Sequence, residues 1–349
     1  MSGGFSGGFS GGFGDTTEGS GRSELGPRAS NISRCAIAGP FSGAVLHPAA
    51  HGFDQASNLA LWADDPRKAA CFEELVEGLS VSVDKRGKRA TVSFANLQSS
   101  RISNKVFVDL RGPDQELLKR QLELVAAYAD LRADRLPEIV DQLAAPVAYW
   151  SSVLGLAAHR HTRTLQLIDL AIGLAIHVEM RIKHIFAVRR PGEFSPQIQP
   201  VIPTPGHGSW PSGHATEAFA VAPILEALLN QARPGKHDGT ACHLQLQRLA
   251  ARIAINRTVA GVHYPVDSAA GRLLGTSLAE FLVARATGTG LQRRGFDSQR
   301  FTESDSTPRD FRISDLLDEA PYSVGGPAIP LPKADTLAWL WQEALKEWA

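Results

Sequence analysis

The sequence predicts an all-α fold: a helical bundle of about six core helices with a small strand-bearing attachment on its N-terminal side. Three observations predict it. Between residues 113 and 286, apolar side chains recur three and four positions apart, the period of one helix face. Alternating, β-like stretches are confined to residues 79–110. Gly- and Pro-rich breaks then cut the helical region into pieces of ordinary helix length. Composition agrees, since 43% hydrophobic and 21% charged residues in a chain of 349 describe a globular protein. Lys+Arg and Asp+Glu both count 36, so neither nucleic acid nor an acidic membrane surface is an expected partner.

Residues 1–30 read as a disordered tail, because Met1 to Gly14 repeats Ser-Gly-Gly-Phe. That stretch lacks the basic and apolar regions of a signal peptide. Residues 31–112 form the N-terminal attachment, with strands at Leu79–Val83, Ala90–Phe94 and Lys105–Asp109 and a hairpin loop at Lys85–Lys88. Residues 113–286 are the expected helical domain. Its first helix begins near Pro113-Asp114 and carries Leu117, Leu118, Leu122, Val125 and Tyr128 at helical spacing. Pro137 starts another, which Pro146 bends or restarts. A third runs from Thr162 to Phe186, with Leu165, Ile168, Ile172, Ile176, Met180 and Lys183 near one stripe. Gly192–Ser209 is a Pro/Gly-rich loop, the natural rim of a pocket. Helices from His214 to Ala232, Ala241 to Val262 and Val266 to Arg285 complete the bundle.

Residues 287–349 read as a polar linker over 287–310, followed by a helix from Asp335, an N-cap candidate, to Trp348. Its Trp339, Trp341 and Trp348 either pack on the body or form a homodimer contact. The most apolar stretch, Leu165–Val178, contains Gln166, Asp169 and His177 and is too short to cross a bilayer. No integral membrane span is expected. Cys35, Cys71 and Cys242 have neither metal-ligand spacing nor a disulfide framework, which suits a reducing, cytoplasmic setting.

Three short segments carry chemistry: Lys183 with Arg190-Pro191, Trp210-Pro211-Ser212-Gly213-His214, and Arg257 followed by His263-Tyr264-Pro265-Val266-Asp267. Arg binds tetrahedral oxyanions as a planar fork and Lys as a point charge. Arg190, Arg257 and Lys183 can therefore surround one anion. Ser212 adds a hydroxyl and Gly213 an approachable backbone N–H at a helix start. His263 and His214 supply a nucleophile or ligand and a general acid/base. Asp267, one helical turn past His263, can hold its other ring nitrogen. Each segment alone also fits an ordinary turn, a solvated face or a helix-end histidine. The three in one chain point to an oxyanion site.

In order and internal spacing, these segments resemble the superfamily of type 2 phosphatidic acid phosphatases (PAP2), class A acid phosphatases and vanadium-dependent haloperoxidases. Asn256 departs from the Ser that usually precedes this Arg in the phosphatases. The resemblance implies a helical catalytic domain and an enzyme acting on a small molecule. In the phosphatases, His263 would attack phosphorus to give a phosphohistidine, with phosphate esters as substrates and no cofactor. Lys183, Arg190, Ser212, Gly213 and Arg257 would stabilise the equatorial oxygens, while His214 protonates the leaving alcohol. In the haloperoxidases, His263 would instead ligate a vanadate cofactor, with peroxide and halide as substrates, and His214 would help peroxide bind.

His214-Ala215-Thr216, His207 and His263-Tyr264 resemble the bromoperoxidases. The compact spacing from Lys183 to Ser212 and from His214 to Arg257 is similar to the phosphatases. Arg189 stands where many haloperoxidases have an aromatic. The favoured expectation is a vanadate-dependent haloperoxidase with His207 as an added catalytic histidine. A phosphatase is the first alternative and a non-catalytic binding protein the second.

Overall fold

The computed structural model describes residues 52–97, 102–143, 147–234, 239–305 and 307–348, together with Gly43 and Leu46. The expected N-terminal tail, Cys35 and Pro146 lie outside the described residues. The helices are α1 (Asp64–Val76), α2 (Gln115–Ala127), α3 (Arg132–Asp141), α4 (Val147–Leu154), α5 (Thr162–Phe186), the single turn α6 (Pro191–Phe194), α7 (Gly213–Ala232), α8 (Gly239–Val259), α9 (Pro265–Thr287) and α10 (Asp335–Lys346). The strands are β1 (Leu79–Val83), β2 (Arg89–Ala95), β3 (Asn104–Arg111), β4 (Gly290–Asp297) and β5 (Tyr322–Pro330).

The chain is mostly helical, but it is not all-α. The five strands form one sheet in the order β1-β2-β3-β4-β5. β3 and β4 pair in parallel, from Val108 opposite Arg294 to Arg111 opposite Asp297, and the other neighbours are antiparallel. The stretch expected as a linker therefore contains β4, which joins strands expected in a separate attachment. The sequence concealed β4 because its buried residues, Leu291 and Phe296, are an odd number of positions apart. In a regular strand such residues face opposite sides. A register shift between Leu291 and Arg293 returns both to the buried face.

α9 joins the two layers. Its C-terminus ends at Gly288, with φ 77°, in the left-handed conformation that favours glycine. The next residues are β4. Phe281 on α9 stacks on Phe107 of β3 at 5.3 Å and packs against Phe94 of β2 at 5.6 Å. At its other half α9 presses on α7. A Cβ on Gly271 would lie 2.8 Å from the Ser212 carbonyl oxygen, and one on Gly275 would lie 2.2 Å from that of Thr216. Only glycine permits this approach, and it brings the N-termini of α7 and α9 side by side.

Distant carboxylates cap two of the helices. Glu74 on α1 accepts from the backbone N–H groups of Asp335 (2.6 Å) and Thr336 (2.9 Å) at the start of α10. Asp335 thus lies in the first turn and is not the N-cap, which is Ala334. Glu347, just beyond α10, accepts from the N–H groups of Arg163 (2.6 Å) and Thr164 (2.9 Å) at the start of α5. Trp341 and Trp348 are buried in the body and donate to Gln231 and Thr164 at 2.7 and 2.9 Å. α3 begins at Arg132 and carries Pro137 inside it, where a helix start at Pro137 was expected. α8 ends at Val259, short of the expected Val262, because the chain turns at Gly261 with φ 80°.

Candidate functional site

The site lies where the C-terminus of α5, the N-termini of α7 and α9 and the last turns of α8 converge. α5 ends at Ala187, whose φ of 44° turns the chain sharply. The Val188 carbonyl then accepts from the Ser209 N–H at 2.8 Å, tying the Arg190 segment to the loop before α7. Trp210 is fully buried, edge-on to Phe186 at 4.8 Å. Phe186 in turn lies against Gly112 at the exit of β3, where a Cβ would meet its ring at 2.5 Å. The sheet thereby buttresses the turn that delivers Ser212. Ser212 is the N-cap of α7, and its N–H donates to the Asp267 carbonyl at 3.0 Å, a direct link between α7 and α9. Arg132 fixes the exit of α8 by donating to the carbonyls of Val259 (2.9 Å), Ile198 (2.9 Å) and Gln199 (3.0 Å).

His263 and Asp267 form the centre. His263 Nδ1 lies 2.9 Å from Asp267 Oδ2. The same oxygen accepts from the Tyr264 N–H at 3.0 Å and from the Ser209 hydroxyl. Burial pushes the Asp267 carboxyl up to about 6, while its Ser209 and Tyr264 donors and nearby Lys183 pull the other way. It is therefore ionised near neutrality and holds the Nδ1–H tautomer of His263. That leaves Nε2 unprotonated, and Arg190 Nη1 approaches it at 3.0 Å. Arg190 is spread over its surroundings. It donates to the carbonyls of Val262 (2.9 Å), His207 (3.2 Å) and Gly208 (3.4 Å), and Nη2 lies 3.3 Å from His207 Nδ1.

The second histidine, His214, lies beside Arg257. Arg257 Nη1 lies 3.5 Å from His214 Nε2, and its Nη2 donates to Gln142 Oε1 at 2.9 Å and to the Ile139 carbonyl at 3.1 Å. Burial, and then the Arg257 charge, hold His214 well below the usual histidine range. Burial, then Arg190 and Lys183, do the same to His263. Both imidazoles are neutral at pH 7 in the free protein.

Lys183, Arg190 and Arg257 are each 1% exposed. Among the described residues, none of them makes an ion pair with a carboxylate. Lys183 Nζ faces the carbonyls of Pro211, Ser209 and Gly208 instead. Burial lowers Lys183 to about 8 and both arginines to about 10, so all three remain cationic at neutrality. Three buried cations without carboxylate partners are costly unless an anion compensates them.

Comparison with known proteins fits this geometry. The model of the PAP2 superfamily matches residues 165–288, which span α5 to α9 and contain every motif residue of the site. This segment is similar to the PAP2 superfamily. A vanadium-dependent bromoperoxidase of Ascophyllum nodosum is 30% identical over 118 residues, covering 28% of this chain and 21% of that protein. The chain thus spans about a fifth of that relative's length. A transmembrane PAP2-type phosphatidylglycerolphosphate phosphatase from Bacillus subtilis superposes with a TM-score of 0.39 at 20% identity, over 48% of this chain and 84% of that one. Among the described residues, no helix is long and apolar enough to cross a membrane.

The residues expected at the site fall within the region where α5, α7, α8 and α9 converge. His263, Asp267, Arg190 and His207 share one hydrogen-bonded network, and His214 and Arg257 share another. Lys183 sits between α5 and the loop that delivers Ser212 and Gly213. His207 is half-buried, and its Nδ1 lies 3.3 Å from Arg190 Nη2. Sequence reasoning missed several supports. Ser209 donates to Asp267. Gln142 accepts from both Arg257 and Asn256. Gln121 accepts from the Val266 N–H at 2.9 Å and so steadies the start of α9. Two fully buried acids, Glu179 and Glu217, stand behind the cations. Only the acids left a signal, as charges on otherwise apolar helix faces at helical spacing from Lys183 and His214.

Proposed function

We propose that this chain is a small-molecule enzyme of the haloperoxidase branch, with His263 as the ligand of a vanadate held by Lys183, Arg190 and Arg257. One observation carries the reading: three buried cations, Lys183, Arg190 and Arg257, make no ion pair with a carboxylate among the described residues, and Arg190 reaches Nε2 of His263 at 3.0 Å. The donor set fits a tetrahedral oxyanion, because two guanidinium forks and an ammonium can meet several oxygens while a neutral imidazole nitrogen meets the central atom. When bound, vanadate supplies Lewis-acid activation of peroxide toward halide. In that reading Arg190 anchors the His263 ring, and Asp267 fixes its tautomer and raises its basicity. Ser212 and Gly213 present the start of α7 to the anion. His214, neutral near pH 7, takes a proton from the incoming oxidant. The 30% identity with a bromoperoxidase over an aligned stretch of 118 residues supports this branch.

A phosphatase is the second reading, favoured by the compact spacing between the three motifs. There His263 Nε2 attacks the phosphorus of a phosphate ester and the P–O bond to the alcohol breaks. His214, protonated once the phosphate dianion's charge is beside it, gives the departing alkoxide that proton, and water then hydrolyses the phosphohistidine. The two readings separate in one experiment. Protein incubated with orthovanadate is assayed for bromide oxidation with peroxide, beside hydrolysis of an aryl phosphate without vanadate. The haloperoxidase reading expects vanadate-dependent bromination that phosphate suppresses. Hydrolysis inhibited by vanadate, with no halide oxidation across about pH 5–8 where histidines change charge, would replace it with the phosphatase reading.

A further inference from the structure

One wall of the site comes from a helix that carries none of the three motifs. α3 lies along the C-terminal half of α8 and meets it through polar side chains three residues apart. Arg132 Nε donates to the Val259 carbonyl at 2.9 Å, and Arg135 Nη1 donates to Asn256 Oδ1 at 3.1 Å. Glu138 Oε2 accepts from Arg252 Nη2 at 2.7 Å. Residues at this spacing share one helix face. The contacts descend α8 as they ascend α3, so the two helices run antiparallel. The stripe ends at Gln142, one residue past α3 and fully buried.

The Gln142 amide is held at both of its ends. Its Oε1 accepts from Arg257 Nη2 at 2.9 Å and from Asn256 Nδ2 at 3.1 Å, which uses both lone pairs. Its Nε2 donates to Glu138 Oε1 at 3.0 Å. Two donors face the oxygen and an acceptor faces the nitrogen, so the direction of the amide is fixed. Asn256, where the phosphatases usually have Ser, supplies both the donor to Gln142 and the acceptor for Arg135.

This arrangement decides which side of Arg257 is free. Nη2 has two hydrogens. One goes to Gln142 and the other to the Ile139 carbonyl at 3.1 Å. Among the described residues, Nε is buried without a partner, and Nη1 lies 3.5 Å from His214 Nε2. Both acceptors on α3's side are neutral, a carbonyl and an amide. They fix the guanidinium without cancelling its charge.

We propose that Gln142 is the positioning residue of Arg257: held by Asn256 and Glu138, it commits Nη2 to α3 and leaves Nε and Nη1 for the oxyanion. This inference rests on the oxyanion-site reading above. A guanidinium that is already fixed loses little freedom when the anion arrives. Oxyanion affinity, and not stability alone, then depends on Gln142.

The test is a double-mutant cycle on the full chain, read by calorimetric titration with orthovanadate at pH 7. It compares the parent with Gln142→Met, Arg257→Lys and the double variant. Met keeps the length of Gln without its acceptor. Lys keeps the charge of Arg but has no second nitrogen to reach Gln142. We expect Gln142→Met alone to weaken binding at least about tenfold, a gap of about 1.4 kcal/mol. In the Arg257→Lys background the same change should cost less than about twofold, because the nitrogen that Gln142 holds is gone. An undiminished loss in that background would mean that Gln142 supports only the fold, and would overturn the proposal. So would a Gln142→Met protein that binds as the parent does. Should Gln142→Met not fold, Asn256→Leu takes its place, since it withdraws the second donor from Gln142 at nearly constant volume. It should weaken binding at least about threefold in the parent and less in Arg257→Lys, and an unchanged affinity or an equal loss in both would overturn the proposal. If the parent binds no orthovanadate, the oxyanion-site reading itself fails. A parent that binds it but is indifferent to Gln142 sinks this inference alone.

Discussion

Gly275→Ala perturbs the site from a distance. Gly275 lies on α9 two turns beyond Asp267, about 12 Å along the helix. A Cβ there would sit 2.2 Å from the Thr216 carbonyl oxygen, 2.9 Å from the Ala220 nitrogen and 2.9 Å from the Phe219 carbonyl carbon, all of them α7 backbone. Ordinary contact begins near 3.4 Å, so α7 and α9 would have to separate by about 1 Å. Two effects oppose. Alanine in a helix interior is better than glycine by about 1 kcal/mol. Overpacking against rigid backbone costs about 1–3 kcal/mol. The second should win, for a net loss of about 1–2 kcal/mol. Function should suffer more, because α7 carries Ser212 and His214 while α9 carries Asp267 and orients His263. A misplacement of about 1 Å costs on the order of 100-fold in rate. Guanidinium unfolding gives the stability, and turnover with orthovanadate binding gives the function. Gly325→Ala is the control, since a Cβ there meets nothing within 4 Å. A Gly275→Ala protein with parental stability and turnover would refute the claim that the α7–α9 approach sets the site.

Other outcomes follow from the same geometry. His263→Ala should abolish turnover in either branch, and Asp267→Asn should lower it by about 10–100-fold, both read from steady-state rates on folded protein. Burial raises Glu179 from its ordinary 4.5 to about 7, so its contribution to stability is full below pH 4.5 and fades as pH climbs toward about 7. Glu179→Gln should therefore match the parent in unfolding at pH 4 and exceed it at pH 7. A constant difference across that window would count against the titration. Glu74→Ala removes the carboxylate cap of α10 and should cost about 1–2 kcal/mol without changing oxyanion affinity. A matching loss of affinity would show that α10 is coupled to the site.

The helices of the site were legible in the sequence because each follows a simple rule. α5 reads as one long apolar stripe, Ser212 as an N-cap and Pro265 as the first residue of α9. Motif spacing placed Arg190, His214, Arg257, His263 and Asp267 in one neighbourhood. The sheet was only half legible. β1 to β3 alternate, whereas the register shift in β4 breaks its alternation, and β5 is an edge strand around Gly325-Gly326-Pro327. Parallel pairing of β3 with β4 joins residues that no local pattern connects. The supports of the site were hidden for a similar reason. Gln121, Gln142 and Ser209 act through single long-range hydrogen bonds, and an isolated polar residue carries no periodicity. The capping of α10 by Glu74 and of α5 by Glu347 likewise exists only in three dimensions.

Lys183, Arg190 and Arg257, buried and without a carboxylate ion pair among the described residues, should together bind a tetrahedral oxyanion. Calorimetric titration of the full chain with orthovanadate near pH 7 tests it most directly, alongside Lys183→Met and Arg190→Met proteins that retain the fold. The account predicts about one vanadate per chain, competed by phosphate. Each variant should weaken binding by at least about 10-fold, since a hydrogen bond to a charged group contributes about 1.5–3 kcal/mol. Absence of binding by the parent, or equal binding by parent and both variants, would contradict it.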